Sequence, residues 1–362
     1  MEKKITHQAV TEYLHRLYGK PVLLHSLSEH SKQELSGALK AYGYGTPVFL
    51  EYEVAGERKK AVLETMSPSS FGHDHFSDRA QAILWEHSAF NSLPRHVRSL
   101  DSGAFLASGK IISTGEAEEF FLLTEFAEGE GYFRDLERIQ DTGNLSAPDR
   151  ERVLALSDYL VGIHGKKLDA PGLYTRRIRD LLGHGECIMG LIDNYPEHYE
   201  HIDRELLRKI ELACVGWRWR IKDRAHRLSQ VHGDFHPWNI LFREKTQFTL
   251  LDRSRGEWGE PADDVTCLTM NYLFSSIIRS GRLEGPFETM FRIFWENYLE
   301  KSGDLELTEV APPFYAWRGL VVASPVWYPR LPPGVRKTVF TFIQNVLADE
   351  RFDPSDVNRY LV

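Results

Sequence analysis

Three oxygen-bearing residues stand at spacings that could do chemistry: Asp234, Asn239 and Asp252. The first two lie in the stretch Val231-His232-Gly233-Asp234-Phe235-His236-Pro237-Trp238-Asn239-Ile240-Leu241-Phe242. Val231 on one side and Ile240-Leu241-Phe242 on the other are apolar flanks that anchor the ends of a polar loop. A second apolar run, Phe248-Thr249-Leu250-Leu251, ends at Asp252. The 13 positions from Asn239 to Asp252 (252 − 239) suit a hairpin between them. Phosphoryl transfer needs such a set. One carboxylate orients an attacking hydroxyl and accepts its proton, while an amide oxygen and a second carboxylate hold Mg²⁺ against nucleotide phosphates. Mg²⁺ prefers hard oxygen ligands and keeps several waters, so two protein ligands suffice. The plainer alternative is a buried hairpin whose Asp and Asn only cap turns.

The elements that must position these residues are legible in outline. Val10, Tyr13, Leu14 and Leu17 recur at helical spacing over 6–17, with Thr6 as N-cap and Gly19 as stop. Residues 35–41, 47–54 and 59–65 read as strands, the last two joined at Ala55-Gly56-Glu57. A helix is expected over 78–90, then strands over 104–113 and 120–126. After an irregular stretch, a helix over 147–165 carries one apolar stripe of Val153, Leu156, Leu160 and Ile163. The segment 175–227 reads as mostly helical, and its Trp217 and Trp219 with interleaved arginines read as packing first, a sugar or acid site second. Pro261 can open a helix whose first turn holds Asp263 and Asp264, placed to suit the helix dipole. Helices over 264–280, 285–301 and 334–347 complete the chain. The aromatics Phe314, Tyr315, Trp317, Trp327 and Tyr328 line an acceptor pocket or fill core. His73, Asp74, His75 and Asp78 form a polar loop that reads as surface rather than as a metal site.

Composition narrows the class. With 362 residues and 42% hydrophobic content the chain can bury a large core and suggests two lobes. A net charge of −8 argues against a sequence-independent nucleic-acid binder, which needs a basic face. Cys187, Cys214 and Cys267 are too few and too far apart for a metal knuckle or a disulfide framework, so a reducing cytoplasm is expected. The first residues lack a signal-peptide pattern, and no apolar run is long enough to span a bilayer.

His232-Gly233-Asp234 through Asn239, followed by Asp252, resembles the catalytic loop and metal-binding Asp of the aminoglycoside phosphotransferase and choline kinase-like enzymes. These are distant relatives of the protein kinases, where H-R-D-x-x-x-x-N and D-F-G serve the same roles. Gly259-Glu260-Pro261-Ala262-Asp263-Asp264 keeps the family's later G-x-P-x-x-D pattern. The resemblance implies an α+β, two-lobed protein-kinase-like fold, with a small β-rich N-lobe over 1–127 and a larger, mostly helical C-lobe over 128–362. It implies ATP and Mg²⁺, with Asp234 as base, His232 supporting the loop, and Asn239 and Asp252 on the metal. Gly43 and Gly45 would lie in the loop over the phosphates. Glu125, Phe126 and Ala127 would form the hinge that meets adenine through its main chain. Glu86 would take the place of the small-lobe Glu.

Two positions depart from the pattern. Arg253 stands where an aromatic follows the metal Asp, and Glu64 stands where the third strand should end in a phosphate-clamping base. Lys60 is about 13 Å away along that strand, too far to substitute. An inverted pair is therefore expected, with Arg79 on the following helix reaching Glu64 and the phosphates, and Lys40 as the second donor. The resulting expectation is a phosphotransferase acting on a hydroxyl of a small polar molecule. The rival is a degenerate kinase-like protein that binds a nucleotide or a partner without transfer.

Overall fold

Alternation of apolar and polar side chains, and the helical spacing ahead of it, build the first unit. The computed structural model describes residues 5–29, 45, 47–199 and 201–362. Two compact units divide it, Met1–Thr124 and Glu125–Val362. In the first, the Thr6 hydroxyl accepts from the Ala9 amide and starts α1 (His7–Tyr18), which Gly19 ends in a left-handed conformation. Strands β1 (Val22–Glu29), β2 (Val48–Val54) and β3 (Glu57–Leu63) form an antiparallel sheet in that order. Val48, Leu50, Tyr52 and Val54 alternate inward on β2 and pack with Val10 and Leu14 of α1. Burial of each such aliphatic side chain stabilises the unit by about 1.5–3 kcal/mol. β1 was not evident in the sequence, because His25 and a register shift between Leu24 and Ser26 break its alternation. The expected strand over 35–41, which holds Lys40, and Gly43 in the loop after it lie outside the described residues.

α2 (Phe76–Ser92) follows, its first turn held by the His75 amide donating to Asp78. The single strand expected over 104–113 is instead a hairpin of β4 (Gly103–Phe105) and β5 (Ile111–Ser113). The strand expected over 120–126 does not form. Its residues belong to no helix or strand, with Phe121 and Leu122 91% and 87% exposed. Local β-propensity needs a ladder partner to become a strand, and this run has none among the described residues.

The second unit begins with β6 (Glu130–Gly131) and α3 (Phe133–Thr142), in the stretch that had read as irregular. Ser146 caps α4 (Ala147–His164), whose Val153, Leu156 and Leu160 are fully buried. Then come α5 (Pro171–Gly183), α6 (Ile188–Asp193), the short strands β7 (His198–Tyr199) and β8 (Ile202–Asp203), α7 (Arg204–Ile221) and β9 (Ser229–Gln230). β10 (Ile240–Phe242) pairs with β11 (Phe248–Leu250) and with β6, and β12 (Trp258–Gly259) pairs with β9. The rest is helical: α8 (Pro261–Ser280), α9 (Gly285–Ser302), α10 (Leu307–Ala323) and α11 (Pro333–Ala348).

Two prolines, Pro312 and Pro313, lie inside α10 and hid it from a reading of the sequence. Pro312 cannot donate to the Thr308 carbonyl, and the Phe352 amide takes that acceptor at 2.7 Å. The helix survives because tertiary structure fills the bond the proline removes. Trp217 is buried, with its indole nitrogen on the Leu347 carbonyl at 2.9 Å, while Trp219 is exposed, so this pair packs α7. Cys187, Cys214 and Cys267 are free and buried. No helix among the described residues is long and apolar enough to cross a membrane.

Candidate functional site

The loop between β9 and β10 owes its shape to one buried carboxylate. Asp264, on the first turn of α8, accepts the backbone amides of His232 and Gly233, both at 2.7 Å. Its Oδ2 also meets His164 Nε2 at 3.1 Å, and His164 Nδ1 meets the Tyr298 hydroxyl at 2.7 Å. Burial raises the pKa of Asp264, but these donors overcome it and hold the group below its ordinary value. Its main role is thus a tertiary clamp on the loop rather than the helix-dipole role its position suggested. Gly233 turns the chain at φ +87°, a conformation open chiefly to glycine.

His232 ties the loop to the next strand. Its Nε2 meets the Leu251 carbonyl at 2.9 Å, and its Nδ1 accepts from the Asp234 amide at 3.2 Å. Those two bonds require the neutral ring with the proton on Nε2, and burial lowers its pKa accordingly. His232 therefore positions Asp234 and has no free nitrogen for proton transfer.

Asp234 and Asn239 close on each other. The Asn239 amide nitrogen donates to the Asp234 carbonyl at 3.1 Å, which leaves its Oδ1 as the atom for a cation. The Leu251 amide donates to the Asn239 carbonyl at 2.9 Å, continuing the β10–β11 register by one pair. Asp252 is the next residue, so the hairpin brings the amide and the second carboxylate to the same end. Asp252 is exposed and adopts φ +46°, strained for a non-glycine residue. One of its oxygens accepts from the Ser254 amide at 3.2 Å. The two side chains offer the hard oxygens that Mg²⁺ takes, and so fit this ion. No group of three or more His, Cys, Asp or Glu side chains that could hold a metal occurs among the described residues.

The Asp234 carboxylate is not free. Its Oδ1 accepts from Arg255 Nη1 at 2.7 Å and from Arg318 Nη1 at 2.9 Å, and His236 Nε2 lies 3.5 Å from Oδ2. Burial would raise its pKa; His236 and the two guanidiniums outweigh this and hold it far below the usual carboxylate range. Arg318 also pairs with Asp263 and lies 3.7 Å over the Trp317 ring, and Arg255 faces the same ring at 4.9 Å. The aromatic run of α10 is therefore both core and lining. Neither arginine was singled out from the sequence. Arg318 is 84 residues from Asp234 and inside a helix that prolines concealed.

In the first unit, the inverted pair is not formed. Glu64 is exposed and makes no hydrogen bond or ion pair among the described residues. Arg79 instead donates to the carbonyls of His73, Asp74 and His75 at 2.7–3.0 Å, closing the turn before α2. Glu86 is exposed, without a partner among the described residues. Gly45 has a packing reason of its own, since a Cβ there would collide with the Thr65 carbonyl. Glu125 and Phe126 are exposed and Ala127 is half-buried, all outside any strand.

No curated protein matches the chain. Among solved structures, a glucosamine kinase in complex with glucosamine, ADP and inorganic phosphate is 16% identical, at a TM-score of 0.38 and 57% coverage of each chain. The match thus spans little more than half of that enzyme. An amicoumacin kinase in complex with AMP-PNP and Ca²⁺ is 12% identical, with 88% and 90% coverage and a TM-score of 0.42. A choline kinase from Streptococcus pneumoniae is 12% identical, with 94% and 98% coverage and a TM-score of 0.34. The phosphotransferase enzyme family matches residues 50–289, a span that includes Asp234, Asn239 and Asp252. With about two thirds of its length matched, this α+β chain, a smaller unit carrying a three-stranded sheet followed by a larger, mostly helical one, belongs to the phosphotransferase enzyme family.

Proposed function

We propose that the chain transfers the γ-phosphoryl group of ATP to a hydroxyl of a small polar molecule. The observation that carries this reading is the union of Asp234 with Asn239 at one end of a hairpin that delivers Asp252 beside them. Asp234 takes the hydroxyl proton as the acceptor oxygen bonds to the γ-phosphorus and the bond to the departing nucleoside diphosphate breaks. Asn239 Oδ1 and Asp252 would hold Mg²⁺, which neutralises charge on the phosphates when bound. His232 keeps Asp234 in register through its own backbone amide. We assign the nucleotide to Gly43 and Gly45 and to the main chain of Glu125, Phe126 and Ala127, which open the second unit. Three buried free thiols support a reducing compartment such as the cytoplasm.

The test is ATP turnover by the full chain with Mg²⁺ across a panel of small hydroxyl compounds, with nucleotide binding measured in parallel. Asp252→Ala is expected to weaken Mg²⁺-dependent ATP binding, because it removes a charged oxygen ligand. Asn239→Ala should weaken it less, since a neutral amide contributes less to a hard cation. Calorimetry with and without Mg²⁺ measures both, and equal affinity in all three proteins would remove these residues from the metal site.

A second reading is a nucleotide- or partner-binding protein without transfer. Glu64, exposed where the family places a base, favours it, as does an Asp234 already held by two guanidiniums. Mg²⁺-ATP binding with no turnover on any acceptor would select this reading.

A further inference from the structure

The two arginines on Asp234 are not equivalent. Arg318 is fixed: its side chain is 6% exposed, and it binds Asp234, Asp263 and the Gly233 carbonyl while stacking on Trp317. Its Nε is buried and has no hydrogen-bond partner among the described residues. Arg255 is the more exposed of the two, and it also donates to the Gly233 carbonyl at 3.3 Å. It sits on the loop just after Asp252, 22% exposed, and its other carboxylate partner is Glu186, itself 60% exposed and 3.3 Å away. Solvent-exposed ion pairs of this kind hold weakly. A third guanidinium backs the same loop, because a Cβ on Gly256 would collide with Arg177.

This charge pattern bears on the acceptor. Asp234 must face a hydroxyl to take its proton, yet one of its oxygens is shared between two guanidiniums. Asp263 is also paired with Arg318, and the more exposed Glu186 with Arg255. Asp234 and Asp263, the two less exposed of these acids, are thus each held by a guanidinium, although the chain as a whole carries −8. A cationic acceptor brought to Asp234 would meet Arg255 and Arg318 first. An acceptor carrying an oxyanion would instead find a guanidinium fork that matches it.

We propose that Arg255 and Arg318 form an oxyanion subsite beside Asp234, and that the acceptor carries a carboxylate or phosphate group that draws Arg255 away from Asp234. The proposal rests on the phosphotransfer reading for the word acceptor, but not for the subsite itself. Arg255 then has two successive partners. Without acceptor it neutralises Asp234; with acceptor it holds the anionic group and leaves Asp234 Oδ1 for the hydroxyl. Selection for an anionic acceptor and release of the base become one event. Arg318 remains in place throughout and keeps the carboxylate oriented.

Binding and turnover test it separately. Calorimetry with acetate and with sulfate, at ionic strength fixed by chloride, probes the subsite without nucleotide. Asp234→Asn removes the competing carboxylate and is expected to bind one of these anions about tenfold more tightly than the native chain, the scale of one charge-assisted bond. Asp234→Asn/Arg255→Met should lose that gain. Acetate as the tighter probe points to a carboxylate acceptor, and sulfate to a phosphate ester. Anion binding that is unchanged in Asp234→Asn, or insensitive to Arg255→Met, overturns the subsite. For turnover, matched hydroxyl compounds (glycerol, glycerate and glycerol phosphate) are compared with ATP. An anionic member should be preferred in the native chain through KM, and Arg255→Met should raise that KM about tenfold or more while Arg255→Lys restores part of it. Equal use of neutral and anionic members overturns the selection. No turnover on any compound, with the anion results as expected, refutes phosphotransfer and leaves the subsite standing.

Discussion

Asp234→Asn should abolish phosphotransfer and leave Mg²⁺-ATP binding largely intact. A positioned general base contributes about 10²–10⁴-fold, and an amide cannot take the hydroxyl proton. The loop should keep its shape in this variant. Asp234 contributes its main-chain carbonyl to Asn239 and its amide to His232, and neither bond involves the carboxylate. Arg318 retains Asp263 as a counterion, and Arg255 retains Glu186. Some stability is lost with the buried pair, so turnover is to be compared at a temperature where thermal melts show both proteins folded. Turnover of Asp234→Asn near the native rate would mean that the base lies elsewhere. A parallel collapse of Mg²⁺-ATP affinity would mean that Asp234 acts on the metal instead.

The largest effect on stability is expected at Asp264. It is fully buried, and its carboxylate holds two backbone amides and His164. Truncation to alanine leaves these donors facing a cavity. Breaking a buried charged interaction by removing one partner costs about 3–5 kcal/mol, against a total stability of about 5–15 kcal/mol for a typical domain. Asp264→Ala should therefore fold marginally, with a large drop in its urea midpoint. Asp264→Asn can accept only through one oxygen and should fall between. A loss under about 1 kcal/mol, the scale of one ordinary hydrogen bond, would show that the loop is held by other contacts. Because Asp264 does not touch the position of a substrate, the folded fraction of Asp264→Asn should lose kcat through a misplaced Asp234.

What the sequence determined by itself is what depends on neighbours in the chain. Asp234, Asn239 and Asp252 are read from spacing because a loop of five residues and one hairpin place them, and β10–β11 pairing needs no distant partner. The same holds for α1 with its Thr6 cap, for the inward alternation of β2 and for the apolar stripe of α4. Tertiary structure decided the rest, because charge partners and ladder partners are set by the fold and leave no period in the sequence. Local propensity placed a strand at 120–126, yet no strand among the described residues pairs with it. A shared helix face suggested that Arg79 would reach Glu64, yet three carbonyls at the start of α2 hold that guanidinium closer to home. α10 looked broken at Pro312 until Phe352 supplied the missing donor. Through that helix the fold brings Arg318 across 84 residues onto Asp234. The spacing of three residues suggests the chemistry, and the charges around Asp234 come from Arg255 on the loop after Asp252 and from Arg318 on α10, because a buried carboxylate takes its counterions from whatever the fold packs against it.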